Sequence, residues 1–266
     1  MMYSSHGMLA GRKVRRLGFG TMRLTGPGVW GPPWDQQNAI RVLRSAVAAG
    51  VQHIDTADAY GPHEVETLIH KALHPYRDDL VIATKGGFTR QGPGQWTPCG
   101  VPAYLRQCVE LSLRRLGVEA IDLYYLHRID PNVPLADQVG ELEQMRAEGK
   151  IKALGLSKVT IAQAVEAAKI APIAAIQNSF SLINTSSDDV VRWCTTNHIA
   201  FVPYAPLGAG RCLTGATHGD LDGPATPGSA LRWLLDYSPA MFPIPGTSNA
   251  LHLAENMRAA DVEQTD

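Results

Sequence analysis

Four polar residues of types suited to proton chemistry, Asp55, Tyr60, Lys85 and His127, each end or closely follow a short apolar run that reads as a β-strand. A tyrosine phenol ordinarily keeps its proton at neutral pH. An adjacent ammonium stabilises the phenolate, and Lys85 supplies one. A carboxylate such as Asp55 fixes that ammonium and sustains its charge against burial. His127 can donate to a bound carbonyl from the opposite side, completing a proton donor matched to a developing alkoxide. The same residues also fit a buried stabilising Asp55–Lys85 pair with His127 capping a strand. Convergence of all four at one rim favours an acid–base site.

Convergence requires strands standing side by side, and the chain supplies them in a regular alternation. Strands are expected at Arg16–Gly20, His53–Asp55, Leu80–Thr84, Ile121–Leu126, Ile151–Leu156, Ala174–Gln177, Ala200–Tyr204 and Met241–Ile244. Helices are expected between them at Asp35–Ala49, Glu64–Leu73, Pro102–Leu116, Leu135–Glu148, Ile161–Ala168, Ser187–Asn197 and Thr226–Tyr237, with a last one at Ser248–Ala260. In the first helix Ile40, Leu43, Val47 and Ala48 form the apolar face, Asp35 is the N-cap and Gly50 the stop. The unbroken apolar third strand is what a strand covered on both faces looks like. Gly18 and Gly20 lack the third glycine of a GxGxxG turn opening a helix, which argues against an open nucleotide-binding sheet. The expectation is a single (β/α)8 TIM barrel over residues 1–266, preceded by a short N-terminal hairpin within His6–Arg16. The longest irregular stretches, Gly26–Pro33, Gly86–Gly100 and Pro206–Ala225, follow strands one, three and seven and so fall on the C-terminal rim where barrel enzymes bind substrates.

Composition narrows the function. The 266 residues are enough for one such barrel, and 45% apolar with 18% charged residues belongs to an ordered globular chain. A formal net charge of −1 offers no long-range attraction to nucleic acid or to an anionic membrane. The four cysteines, Cys99, Cys108, Cys194 and Cys212, are too dispersed for a CxxC site. Met1–Arg16 lacks the apolar core of a secretory signal, no stretch approaches a membrane span, and a cytoplasmic location is expected. No GxSxG elbow supports a serine hydrolase, and His127 with Asp55 lacks a third metal ligand. A phosphate-handling lyase or isomerase stays open, because Pro243-Ile244-Pro245-Gly246-Thr247-Ser248 places amides and hydroxyls at a helix start, with Ser248 also suited to be its N-cap.

The ordered set Leu17-Gly18-Phe19-Gly20-Thr21-Met22, Ile54-Asp55-Thr56-Ala57-Asp58-Ala59-Tyr60-Gly61, Thr84-Lys85, Leu126-His127, Gly149–Ser157, Gln177-Asn178, Tyr204–Gly208, Ile244–Ser248 and Glu255-Asn256 resembles an aldo-keto reductase over essentially the whole chain. The proline-rich Gly26–Pro33 loop further resembles a bacterial branch that includes pyridoxal reductases. The resemblance implies NADPH-dependent reduction of a small carbonyl substrate, with NADH as second candidate. Tyr60 would be the general acid, Lys85 the group lowering its pKa, Asp55 their electrostatic partner and His127 the carbonyl orienter. Ser157 and Gln177 would hold the nicotinamide carboxamide and Tyr204 would stack on its ring. Gly20, Thr21 and Met22 would line the reactive end. Leu207, Gly208, Gly246, Thr247, Ser248, His252, Glu255 and Asn256 would follow the pyrophosphate and adenosine. Many family members carry lysine at the position of Gly246, arginine at that of His252 and asparagine at that of Lys158. The resemblance also fits a nicotinamide-binding regulatory or interaction protein on the same fold.

On the substrate side Trp30, Trp34, Phe88 and Trp96 lie in or beside the first and third rim loops and could form an aromatic cleft. Arg128 is placed either to meet an anionic substrate or to pair with Asp130. An aldehyde or ketone on an aromatic or heteroaromatic group is the expected substrate, and a monomer or weak homo-oligomer the expected assembly. With the last helix expected to end near Ala260, little of this sequence is expected to wall the substrate cavity in the way a long C-terminal tail would.

Overall fold

The computed structural model describes residues 4–209 and 225–261, with side chains to residue 258. Residues 210–224 of the third long loop, Cys212 among them, lie outside the described residues.

Seven parallel strands form one curled sheet: β3 (Phe19–Gly20), β4 (His53–Asp55), β5 (Val81–Gly86), β8 (Leu123–Leu126), β9 (Leu154–Ser157), β10 (Ile173–Gln177) and β11 (Ala200–Phe201), in the spatial order β11-β10-β9-β8-β5-β4-β3. An eighth regular strand is not formed among the described residues. Met241 makes an isolated parallel bridge to Phe201. Phe242 N–H donates to the Phe201 carbonyl at 2.8 Å, while Gly18 and Gly20 donate to the carbonyls of Pro243 and Pro245 at 2.9 and 3.2 Å. Prolines have no N–H to return, so segment 241–245 sits between β11 and β3 without building a ladder. The result is an α/β barrel.

Helices cover the outside: α1 (Gln36–Ala48), α2 (Glu64–Leu73), α3 (Pro102–Leu116), α4 (Leu135–Ala147), α5 (Ile161–Ala168), α6 (Asp188–Thr196), α7 (Pro227–Tyr237) and α8 (Ala250–Asp261). Asp35 caps α1 as expected, accepting from Asn38 N–H at 2.8 Å. The buried face of α1 is Ala39, Val42, Leu43 and Ala46; Ile40 and Val47 pack only at its margin, so the face is rotated from the expected one. Ser248 does not cap α8: Asn249 Oδ1 accepts from Leu251 N–H at 2.8 Å.

β1 (His6–Leu9) and β2 (Arg12–Arg15) pair antiparallel. Leu9 and Val14 join Val81, Ala83, Leu123, Tyr125 and Phe242 in the cluster that fills the barrel, so this pair closes one end. Between β5 and α3 the expected irregular loop is instead an antiparallel pair, β6 (Phe88–Gly92) and β7 (Gln95–Pro98), turned by Pro93-Gly94 with Gly94 at φ 70°.

Strand alternation sorts the side chains. On β5, Val81 and Ala83 point into the barrel while Ile82 packs beneath the helices; on β8, Leu123 and Tyr125 point in while Tyr124 and Leu126 point out. Continuing the alternation, the last inward residues are Asp55, Lys85, His127, Ser157 and Gln177, all at the same rim. Gly155 makes room for this interior: a Cβ there would lie 2.4 Å from the Tyr125 ring.

Candidate active site

Register explains how Asp55 and Lys85 meet. Asp55 pairs with Ala83, so Lys85 stands two residues further toward the rim and folds back. Its Nζ donates to Asp55 Oδ1 at 2.6 Å and to the Thr56 carbonyl at 2.8 Å, with both side chains about 1–2% exposed. Gln177 Nε2 donates to Asp55 Oδ2 at 2.8 Å, and both N–H and hydroxyl of Thr21 reach the Asp55 carbonyl. Gln177 and Thr21, assigned to the cofactor from sequence, thus brace Asp55 here. Burial presses the Lys85 pKa down, but Asp55 and then Tyr60 outweigh it, and the net shift is upward. The amine is held as ammonium.

Tyr60 lies five residues beyond Asp55, with Lys85 Nζ 5.4 Å from its ring centroid. Lys85 pulls its pKa down, as the sequence suggests, yet the net shift is upward. Burial raises it, and the opposing pull of Lys85 does not cancel burial. The phenol therefore holds its proton, as a general acid must, while the ammonium limits the cost of losing it. His127 faces Tyr60 edge-on, with centroids 6.1 Å apart and planes at 78°. Burial, then Lys85, Arg128 and Arg90, push its pKa well below 6.5, so the imidazole is neutral. Its Nδ1 is buried without a partner among the described residues.

These groups open on a cleft of about 1220 Å³, lined near them by Asp55, Tyr60, Phe88, Trp96, His127 and Arg128. Lys85 is behind this wall and does not line it. Phe88 packs edge-on against His127 at 4.6 Å and Trp96 against Phe88 at 5.5 Å. Trp30 is not in the lining; Val29 takes that place, and the Trp30 ring lies near the Arg90 guanidinium, 5.5 Å away. Trp34 is 91% exposed and away from the cleft. Arg128 does not pair with Asp130, whose carboxylate accepts from Gly100 and Asn132 instead.

The far arm of the cleft is lined by Gly20, Thr21, Met22, Ser157, Gln177, Tyr204 and Leu207, then by Gly246, Thr247, Ser248, His252, Glu255 and Asn256 on and before α8. Gly208, not itself in the lining, donates its N–H to the Ala205 carbonyl in the turn carrying Leu207 and Ala209. Ser157 accepts from Arg128 at 2.9 Å. The glycine at 246 has a local cause: a Cβ there would lie 2.5 Å from the Gly20 carbonyl oxygen, so a lysine cannot occupy it without moving the barrel seam.

Sequence reasoning gave no site role to Arg23, Val29, Pro98, Lys158, Ala205, Pro206, Ala209, Pro227, Ile244 and Pro245, which also line the cleft. Arg23 directly follows the assigned Met22, which was signal enough. It also missed Arg90, whose guanidinium binds the carbonyls of Gly28, Val29, Ala59, Gly92 and Gln95 and lies 3.6 Å from the Trp96 ring centroid. One side chain thereby ties the loop before α1, the Tyr60 segment and the β6–β7 pair together.

Fold and site together define an α/β barrel that gathers Asp55, Lys85, Tyr60 and His127 at the C-terminal rim. Residues 16–227 match the model of the aldo/keto reductase family, and the chain belongs to that family of oxidoreductases. It is 46% identical over 255 residues to an uncharacterized oxidoreductase of Schizosaccharomyces pombe, covering 94% of this chain and 83% of that one. It is 42% identical over 267 residues to pyridoxine 4-dehydrogenase of Escherichia coli, covering 97% and 93%. The structure of a glycerol dehydrogenase from Gluconobacter oxydans superposes with a TM-score of 0.85 at 26% identity, covering 97% of this chain and 90% of that one. Among the described residues no helix is long and apolar enough to cross a membrane.

Proposed function

We propose that the protein reduces an aldehyde or ketone to an alcohol with a nicotinamide dinucleotide, NADPH ahead of NADH, using Tyr60 as proton donor. The observation that carries this reading is the buried Asp55–Lys85 pair set beside Tyr60 in a cleft wall shared with neutral His127. The size of the cleft also supports it, since about 1220 Å³ exceeds the roughly 300–1,000 Å³ of a site for one small ligand. The reductase is read as one domain over residues 1–266 on a barrel of eight strand segments, closed by 241–245. It is read as cytoplasmic, monomeric or weakly associated, with a small molecule and neither nucleic acid nor membrane as its partner.

A bound nicotinamide supplies the hydride that the carbonyl carbon receives. Tyr60 gives its phenolic proton to the carbonyl oxygen, and Lys85, kept charged by Asp55, stabilises the phenolate left behind. His127 donates an N–H to the same oxygen and fixes its direction. In alcohol oxidation Tyr60 takes the proton back. Ser157 and Gln177 would hold the carboxamide of a bound nicotinamide and Tyr204 would cover its ring. Gly20, Thr21 and Met22 would border the reactive end, while the segment from Gly246 to Ser248 with His252, Glu255 and Asn256 would hold the adenosine end at the start of α8, where the helix dipole favours phosphate. Phe88 and Trp96 point to an aromatic or heteroaromatic carbonyl, a class that suits the relative named for pyridoxine, a heteroaromatic alcohol.

The test follows reduced-nicotinamide absorbance with NADPH or NADH and a panel of aldehydes that includes pyridoxal. Tyr60→Phe should lower kcat by about 10²–10⁴-fold. Full turnover by Tyr60→Phe would remove Tyr60 from the role of proton donor. Dinucleotide binding without turnover across the panel would favour a regulatory protein on this fold.

A further inference from the structure

Arg128 is a half-buried cation in the cleft wall that meets no carboxylate among the described residues. Its Nη1 donates to the His127 carbonyl at 2.6 Å and to Ser157 Oγ at 2.9 Å. Nε and Nη2 make no hydrogen bond, and no carboxylate pairs with it, among the described residues. The contrast with other arginines is direct. Arg106, Arg115 and Arg146 each meet a glutamate at 2.6–2.7 Å, and Arg90 is surrounded by carbonyl oxygens. Arg128 instead lies near two rings, with Cζ 5.6 Å from the Phe88 centroid and 5.9 Å from that of Tyr204. A desolvated guanidinium left without an anion is costly.

We propose that Arg128 receives an anionic oxygen of the substrate, so that the favoured carbonyl compounds carry a carboxylate or a phenolate close to the reacting carbonyl. This rests on the reductase reading and names its substrate class. Three features support it. Arg128 is joined by one peptide bond to His127, the residue assigned to the carbonyl oxygen, so a substrate held by both must carry its anion near the carbonyl. The Nη1 edge is pinned to His127 and Ser157, which leaves the Nε–Nη2 edge, the edge that binds a carboxylate with two parallel hydrogen bonds, free for ligand. Phe88 lies against both Arg128 and His127, so an aromatic ring bearing the two groups side by side has a surface to pack on.

Matched substrates test the charge. With wild type, 2-carboxybenzaldehyde should exceed its methyl ester in kcat/KM, and 2-hydroxybenzaldehyde above its phenol pKa should exceed 2-methoxybenzaldehyde; the two pairs separate carboxylate from phenolate preference. Arg128→Met should lower the charged-to-neutral ratio by about tenfold or more, the scale of a hydrogen bond to a charged group. Arg128→Lys, which keeps charge but loses the fork, should restore part of it. An unchanged ratio in Arg128→Met overturns the proposal, as does a loss of NADPH affinity that accounts for the whole change. Equilibrium binding of benzoate against benzamide, read from tryptophan fluorescence in both proteins, decides the matter without turnover. Tighter benzoate binding that disappears in Arg128→Met supports the anion site even if no carbonyl is reduced, and equal affinities refute it.

Discussion

Asp58 lies between Asp55 and Tyr60 in sequence but belongs to a different environment. Its N–H donates to the Lys85 carbonyl at 3.0 Å and its carbonyl accepts from His63 N–H at 2.7 Å, so its backbone clamps the segment that carries both site residues. The carboxyl is buried, its Oδ1 has no partner among the described residues, and Glu66 stands nearby. Burial first, then Glu66, push its pKa up from 3.8 to about 7, against weaker pulls from Cys108 and Arg115. The unfolded chain gives up this proton near 3.8 while the folded one retains it to about 7. The stability contributed by this proton is therefore complete below 3.8 and is lost as pH rises toward 7. At 1.36 kcal/mol per pH unit the loss is on the order of 4 kcal/mol. Asp58→Asn keeps the shape and abolishes the titration. Urea unfolding from pH 4 to 8 should show the variant gaining on wild type through that interval and more stable by a few kcal/mol at pH 8. A stability difference independent of pH, or a less stable variant at pH 8, refutes the reasoning.

Two further perturbations address the site. Removing either partner of the Asp55–Lys85 pair strands a buried charge, so Lys85→Met and Asp55→Asn should each cost about 3–5 kcal/mol in urea unfolding, and the double variant well below their sum; additive losses would mean that the two groups are not coupled. Arg90→Ala removes the common tie of three rim segments, so amide exchange should accelerate across Phe88–Pro98 and KM should rise with global stability little changed; unaltered exchange in that pair would show that it holds itself.

The architecture was legible where local chemistry agreed with tertiary packing. Glu64–Leu73, Pro102–Leu116 and Ile161–Ala168 are helices with the expected ends. Gly117 at φ 68° terminates the second of these, and Thr160 with Gln163 forms a capping box at the third. Asp55, Tyr60, Lys85 and His127 could be brought together because each falls at a strand end and the barrel has one C-terminal rim. The β6–β7 pair was readable in hindsight from Gly92-Pro93-Gly94, a turn between two runs containing Phe88 and Trp96. Other features had no local signal. Arg90 bonds only to backbone oxygens, which every residue possesses, and the direction of the Tyr60 shift depends on burial against Lys85. Trp30 and Trp34 share the composition of cleft residues, but their loop geometry sends them elsewhere.

The seam between β3 and segment 241–245 has a consequence for how opening of the barrel would be observed. Pro243 and Pro245 carry no exchangeable amide, so in a hydrogen-exchange map that side of the joint is silent. The protons that report on it belong to Gly18 and Gly20, which donate across it. The cleft runs over the same joint, with Gly20 on one bank and Gly246 on the other. A ligand spanning both banks acts as a staple on the joint, and slowed exchange at these two glycines becomes a gauge of its occupancy that needs no chemistry to take place.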